Sequence, residues 1–192
     1  NYELIENFSS ECFMPLTYGG GIKNLEQAKR IFSLGIEKIC IQDSAYNDIE
    51  FIKNLSEEFG NQSIVVALDI KKKWNGQFCL YSSRKNKIIK KPWIEFMNEC
   101  ISNGAGEIMI NSVDRDGTLN GMDYNLISLA SENINVPLIA SGGLSSLKDL
   151  RLAVDHGADA IGGGAFFVYK GRHRAVLITY PNYEELEELL KR

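Results

Sequence analysis

The sequence predicts an α/β fold: a (βα)8 TIM barrel built from two duplicated half-barrels, represented here by about six βα units. Three observations carry this. Short apolar, β-branched runs alternate with segments of helical period, which implies parallel strands joined by right-handed crossovers. The segment PLTYGGGIKNLEQAKRIFSLGIEKI, from Pro15, aligns without a gap to PLIASGGLSSLKDLRLAVDHGADAI, from Pro137, an offset of 122 positions. In both copies a glycine pair follows the strand: Gly20-Gly21 in the first, Gly142-Gly143 in the second.

The elements follow in order. Asn1 to Glu11 reads as an amphipathic helix with Leu4, Ile5 and Phe8 on one face. Met14 to Tyr18 is a short strand. Asn24 is an N-cap for a helix with Leu25, Ala28, Ile31, Phe32 and Leu34 inward, closed by Gly35. Lys38 to Ile41 is a strand and Ile49 to Phe59 a helix. Ser63 to Leu68 is a continuous apolar run, as expected of a strand buried on both faces, and it terminates in Asp69. Lys71 to Tyr81 carries Asn75-Gly76, a type I′ hairpin signal. Pro92 opens a helix that runs to about Asn103. Then come a strand at Ile108 to Ile110, a helix at Tyr124 to Glu132 and a strand at Pro137 to Ala140. A helix follows through Leu147, Leu150 and Val154, closed by Gly157, and then a strand at Ala160 to Gly163. The tail holds a basic turn (Lys170 to Arg174), a β-prone run (Ala175 to Tyr180) and an acidic helix from Asn182.

The repeat carries a further expectation. The strands that end near Asp69 and Asp114 have no counterpart 122 positions earlier, so a duplicated protein should have two more βα units before Asn1. Two halves of four units make a barrel of roughly 250 residues. The reading is of a single barrel domain over 1–192, truncated at its N-terminus, with a six-unit open sheet as the weaker alternative.

Composition narrows the function. At 44% hydrophobic and 24% charged residues, the chain is ordinary for a globular protein. A net charge of −4 without a basic block argues against nucleic acid. No apolar run is long enough for a membrane span. Cys12, Cys40, Cys79 and Cys100 form no CxxC pair and read as reduced thiols of a cytoplasmic protein. His156 and His173 are the only histidines, so a metal centre is not expected and no cofactor is implied.

Chemistry is expected at the C-terminal ends of the strands. The loop from Asp114 to Thr118 carries two acids, a base and a glycine. A carboxylate desolvated at a strand end, Asp69 or Asp116, can shuttle protons near neutral pH, although Asp at such ends also serves as a simple cap. Gly142-Gly143 and Gly162-Gly163-Gly164 fall where barrels of this type bind phosphate through backbone N–H groups, and Gly19-Gly20-Gly21 falls at the repeat-related place. Tight βα turns need such glycines too. Two related sites suit a small-molecule substrate with a phosphate at each end.

The motifs PLTYGGGI, VVALDI, GAGEIMINSVDRDGT and PLIASGG closely resemble one family, the cyclase subunit of imidazole glycerol phosphate synthase. The resemblance runs from Asn1 to about Phe167. It implies a (βα)8 barrel that receives ammonia from a glutaminase subunit. The barrel converts a bis-phosphorylated formimino aminoimidazole ribulosyl nucleotide into imidazole glycerol phosphate and an aminoimidazole carboxamide ribonucleotide. It aligns Asp69 with one of two general acid/base aspartates, the other lying on a first strand that this chain lacks. On that account the chain as it stands is expected to be inactive. It places Asp116 and Thr118 in the active-site loop, Gly117, Gly143 and Gly164 at one phosphate, and Gly21 at the other. It puts Lys38 and Glu107 in the charged ring where ammonia enters, and Glu37 at the glutaminase contact. A structural ion pair explains Lys38 and Glu107 equally well.

Four positions and the tail depart from the family's pattern. Gln42 and Asp43 stand where Asn and a hydroxyl residue contact a phosphate, and a carboxylate there costs about 1 kcal/mol or more at short range even in solvent. Asn111 replaces a hydroxyl residue, and Ala165 replaces a Ser at the other phosphate. The tail YKGRHRAVLITYP also differs, and its basic turn is either an anion site or merely solvated. Together these departures resemble a side branch that delivers ammonia for acetamidino modification of surface sugars. A barrel that only channels ammonia, without catalysis, is the alternative of another class.

Overall fold

The computed structural model describes residues 1–171 and 173–191. In chain order the elements are α1 (Tyr2–Glu11), β1 (Thr17–Gly19), α2 (Leu25–Ser33), β2 (Lys38–Ile41), α3 (Asp43–Asn47), α4 (Glu50–Phe59) and β3 (Ile64–Lys72). There follow β4 (Phe78–Ser82), β5 (Lys87–Ile88), α5 (Trp93–Ser102), β6 (Glu107–Ser112), α6 (Tyr124–Ser131), β7 (Leu138–Ser141) and α7 (Leu147–Asp155). The chain finishes with β8 (Ala160–Gly162), α8 (Ala165–Val168), β9 (Tyr169–Lys170), β10 (Ala175–Val176) and α9 (Tyr183–Leu190). The six expected strands are β1, β2, β3, β6, β7 and β8, which succeed one another in that order by hydrogen-bonded neighbours. The fold is parallel α/β, as the alternation of elements requires.

Two compact units divide the chain. The first takes Asn1–Leu68 and Ile94–Ile108. Here β1 and β2 pair in parallel with Thr17 opposite Lys38, and β2 pairs with β3 with Ile39 opposite Ile64. The Gly106 N–H donates to the Ile64 carbonyl (3.0 Å), joining β6 to β3. The core is aliphatic: Ile39, Ile52, Leu55, Ile64, Val66 and Leu68 are fully buried. Gly106 is required by this packing, because a Cβ there would lie 2.1 Å from the Asn61 carbonyl oxygen. α1 forms as expected, but Leu4 and Phe8 are exposed.

The second unit takes Asp69–Trp93 and the chain from Met109 onward. The end of β3 pairs antiparallel with β4 (Asp69 opposite Tyr81), and the Val113 N–H donates to the Ile70 carbonyl (3.0 Å). β7 and β8 pair in parallel with Ile139 opposite Ala160. Ile110, Leu126, Leu138, Ala140 and Ala153 fill this core.

The internal repeat holds at the level of single hydrogen bonds. The β1–β2 register, shifted by 122, is the β7–β8 register. α2 and α7 begin and end at equivalent residues, with N-caps Asn24 and Ser146. Gly35 and Gly157 close them at φ +87° and +97°. Two helices were not expected from the sequence, and they obey the same offset: α3 starts at Asp43 and α8 at Ala165.

The hairpin differs from expectation. Only Gly76 of the Asn75-Gly76 pair has positive φ (+84°), whereas a type I′ turn needs it at both residues. The loop is the three-residue kind, a turn closed by Gly76 N–H to Lys73 carbonyl (2.9 Å). The Asn75 side chain accepts from the Gln77 N–H (3.1 Å), which holds Asn75 in ordinary backbone space.

Candidate active site

Asp69 is not at the tip of its strand, as the sequence suggests, but inside β3. The alternating segment after it folds straight back as β4, so the strand gains an antiparallel neighbour and continues to Lys72. Asp69 is 6% exposed. Burying a carboxylate is costly unless donors replace its water. Its Oδ2 accepts from the Ser83 N–H (3.3 Å) and from the Ser83 hydroxyl. Its Oδ1 accepts from Asn111 Nδ2 (3.1 Å), at the end of β6. Ser83 carries no signal in the sequence, because only the β3–β4 register brings it to Asp69. The amide oxygen of Asn111, Oδ1, is buried without a partner among the described residues.

The loop after β6 is folded on itself. The Ser112 carbonyl accepts from Arg115 (3.0 Å) and Asp116 (2.9 Å) N–H groups. Asp114 accepts from the Lys72 N–H (2.7 Å), tying the loop to β3. Thr118 spends its hydroxyl inside the loop, donating to the Arg115 carbonyl (2.7 Å). Asp116 is exposed and, with Gly117, lines a shallow pocket whose other wall is Gly142, Gly143, Gly163, Gly164 and Ala165. The pocket holds about 240 Å³ including its open mouth. Glycine is required at its floor: Gly143 has φ +93°, and a Cβ there would lie 2.3 Å from the Gly121 carbonyl oxygen.

In the first unit, Gly20 and Gly21 line a second pocket with Tyr2, Tyr18, Gln27 and Ile31. Gln42 is the N-cap residue of α3 and Asp43 its first residue, and the Ser44 hydroxyl donates to the Ile22 carbonyl beside the glycine turn. At the other end of the strands, Lys38 and Glu107 form an ion pair with half-buried side chains, and Glu37 is exposed beside them in sequence.

A buried group outside the sequence reading is Asp149, at the start of α7. It accepts from Tyr124 Oη (2.7 Å), the Ser145 hydroxyl (2.6 Å) and the N–H groups of Ser145 (2.9 Å) and Ser146 (3.0 Å). Burial works against its charge, but the Ser145 and Tyr124 hydrogen bonds outweigh this and hold the carboxyl below its usual range. Burial first, and then the bond to Asp149, push the Tyr124 phenol up to about 12.

The basic turn joins β9 to β10, and Arg174 reaches the Thr118 carbonyl (3.3 Å). Arg172 of that turn lies outside the described residues. Among the described residues, no group of three or more His, Cys, Asp or Glu side chains is arranged to hold a metal ion.

A buried strand carboxylate and glycine turns after parallel strands are parts from which α/β barrel enzymes build their sites. The family profile described as "Histidine biosynthesis protein" matches residues 1–174. A protein of Pseudomonas aeruginosa named "Putative imidazole glycerol phosphate synthase subunit hisF2" is 42% identical over 188 residues, 97% of this chain and 75% of the relative. One from Leptospira interrogans, "Putative imidazole glycerol phosphate synthase subunit HisF", is 43% identical over 98% of this chain and 75% of its own. The "Imidazole glycerol phosphate synthase subunit HisF" of Helicobacter hepaticus is 38% identical over 93% of this chain and 70% of its own. The chain belongs to the histidine biosynthesis protein family.

Proposed function

We propose that this chain is the ammonia-using cyclase subunit of an imidazole glycerol phosphate synthase-type enzyme, joining ammonia to a formimino aminoimidazole ribulosyl nucleotide. The observation that carries the reading is a single side chain. Asn111 holds Asp69 with its Nδ2, while its Oδ1 lies 3.1 Å from where a Cβ would stand on Gly142, in the wall of the glycine pocket. An acid/base group and an anion-type pocket are thereby joined through one residue of β6.

In this reading Gly142, Gly143 and Gly164 bind a substrate phosphate through backbone N–H groups, with Gly117 across the pocket. Asp69 takes a proton from the ammonia-derived nitrogen as it bonds to carbon and returns one to the departing nitrogen. Its burial keeps competing water away. Asp116 faces the same pocket and supplies a second carboxylate. Lys38 and Glu107 form the charged ring through which ammonia enters from a glutaminase subunit docked near Glu37. The test is turnover of the nucleotide with ammonium salt at alkaline pH, using the full-length protein. No turnover, or turnover unchanged by Asp69→Asn, would sink the cyclase reading and leave the channel-only alternative.

One observation favours a second reading, ammonia delivery for acetamidino modification of surface sugars. α3 and α8 are repeat partners, yet the residue that opens them is Asp43 in one and Ala165 in the other. A carboxylate at the start of α3 repels a phosphate approaching Gly20 and Gly21. Asp43→Thr should tighten binding of the bis-phosphate substrate about 5-fold or more, since about 1 kcal/mol is removed. Unchanged affinity would count against this reading.

A further inference from the structure

We infer that Asn111 is a positioning residue for Asp69 whose amide serves both protonation states of that carboxyl group; the inference rests on the acid/base role proposed for Asp69. Ser83 holds Oδ2 through its N–H and hydroxyl, and Asn111 donates to Oδ1, which together fix the carboxylate plane. Ser83 contributes its hydroxyl and its backbone N–H, both to Oδ2, and folding of the β4 segment supplies the N–H whatever the side chain. Asn111 contributes only its side chain, so the identity of this residue decides how Oδ1 is held.

The amide makes an unusual choice. Its Oδ1 is buried and has no partner among the described residues. A residue chosen only to fill this space would be apolar and would leave no orphan. Turning the amide over does not help while Asp69 is charged, because two acceptor oxygens would then face each other. The orientation is therefore dictated by the charge on Asp69. When Asp69 takes up a proton, the demand reverses. Its O–H becomes a donor, and Oδ1 of a turned amide is an acceptor already inside the site. No atom needs to be imported and no water admitted. Ser83 holds Oδ2 throughout, so the carboxyl group keeps its plane while the proton comes and goes.

The experiment compares the full-length parent with Asn111→Leu, Asn111→Thr and Asp69→Asn. Three quantities are measured: ammonium-dependent kcat and KM, the thermal midpoint, and the Asn111 side-chain amide resonances by 15N NMR. Asn111→Leu should lower kcat by roughly 10- to 100-fold, the scale of a misplaced catalytic group. Its substrate KM should stay within a few-fold and its midpoint should change little, because removal of the orphan acceptor offsets the donor taken from Asp69 Oδ1. Asn111→Thr, whose hydroxyl both donates and accepts, should recover most of the kcat. The Asn111 amide resonances should move on Asp69→Asn. A kcat retained in Asn111→Leu, or one lost together with the midpoint and not recovered by Thr, overturns the inference while the cyclase reading stands. A parent without turnover sinks the cyclase reading instead; amide resonances that do not move on Asp69→Asn would then overturn the pairing of Asn111 with Asp69 on their own.

Discussion

Asp69 and Asp149 are both nearly buried carboxylates, yet the structure treats them differently. Asp149 is enclosed by four donors from three residues and belongs to the cap of α7. Asp69 is held by Ser83 and by an amide that is itself incompletely satisfied, a cost of about 1–3 kcal/mol for the buried Asn111 acceptor. The first arrangement is what stability favours, and the second is what a reactive site tolerates. The Tyr124–Asp149 pair has a pH signature. The folded-state value of Tyr124 is raised from 10 to about 12, so its contribution is fully present below pH 10 and is lost as pH rises towards 12. Asp149 is lowered, so its contribution is present above the unfolded carboxylate range and is lost as pH falls through the folded value. An ultraviolet titration of tyrosine should show one phenol ionising late, and Tyr124→Phe should abolish that late phase. At Gly143, φ +93° and a neighbouring carbonyl 2.3 Å from any Cβ leave no room for a side chain. Gly143→Ala should cost about 2–4 kcal/mol in urea denaturation.

Among the elements, α2 and α7 are the same helix built twice with different cap chemistry. Asn24 accepts from the Gln27 N–H (2.9 Å), whereas Ser146 forms a reciprocal capping box with Asp149. Ser146→Ala should cost about 1 kcal/mol, measured by chemical denaturation, because a cap donor of α7 loses its partner. The two short helices extend the symmetry beyond what the sequence revealed. Five-residue and four-residue helices leave too little periodicity to detect, and only the shared offset of 122 would have exposed them. The boundaries of β3 were also hidden. Its apolar run stops at Leu68, but pairing with β4 carries the strand on through Asp69 and Lys71. Polar residues in a strand are allowed where a hairpin partner supplies the hydrogen bonds that a parallel neighbour no longer does.

At the scale of the molecule, function is expected at both ends of the strands. The Lys38–Glu107 pair has side chains 34% and 18% exposed, so solvent screening keeps its stabilising effect small. On the proposed function its charges serve the passage of ammonia. Glu107→Gln should therefore leave ammonium-driven turnover within a few-fold, yet reduce glutamine-driven turnover measured with the glutaminase partner. Equal effects on both would count against an entrance role. Among the described residues, no helix is long and apolar enough to cross a membrane. The sequence by itself determined the order of strands and helices, the duplicated halves and the glycines that turn the chain after β1, β7 and β8. These are local properties, set by periodicity and by backbone conformations that only certain residues reach. Only the tertiary structure decided how Asp69 is held. Its partners Ser83 and Asn111 lie 14 and 42 positions away, and strand register, not any pattern along the chain, brings them to its two oxygens.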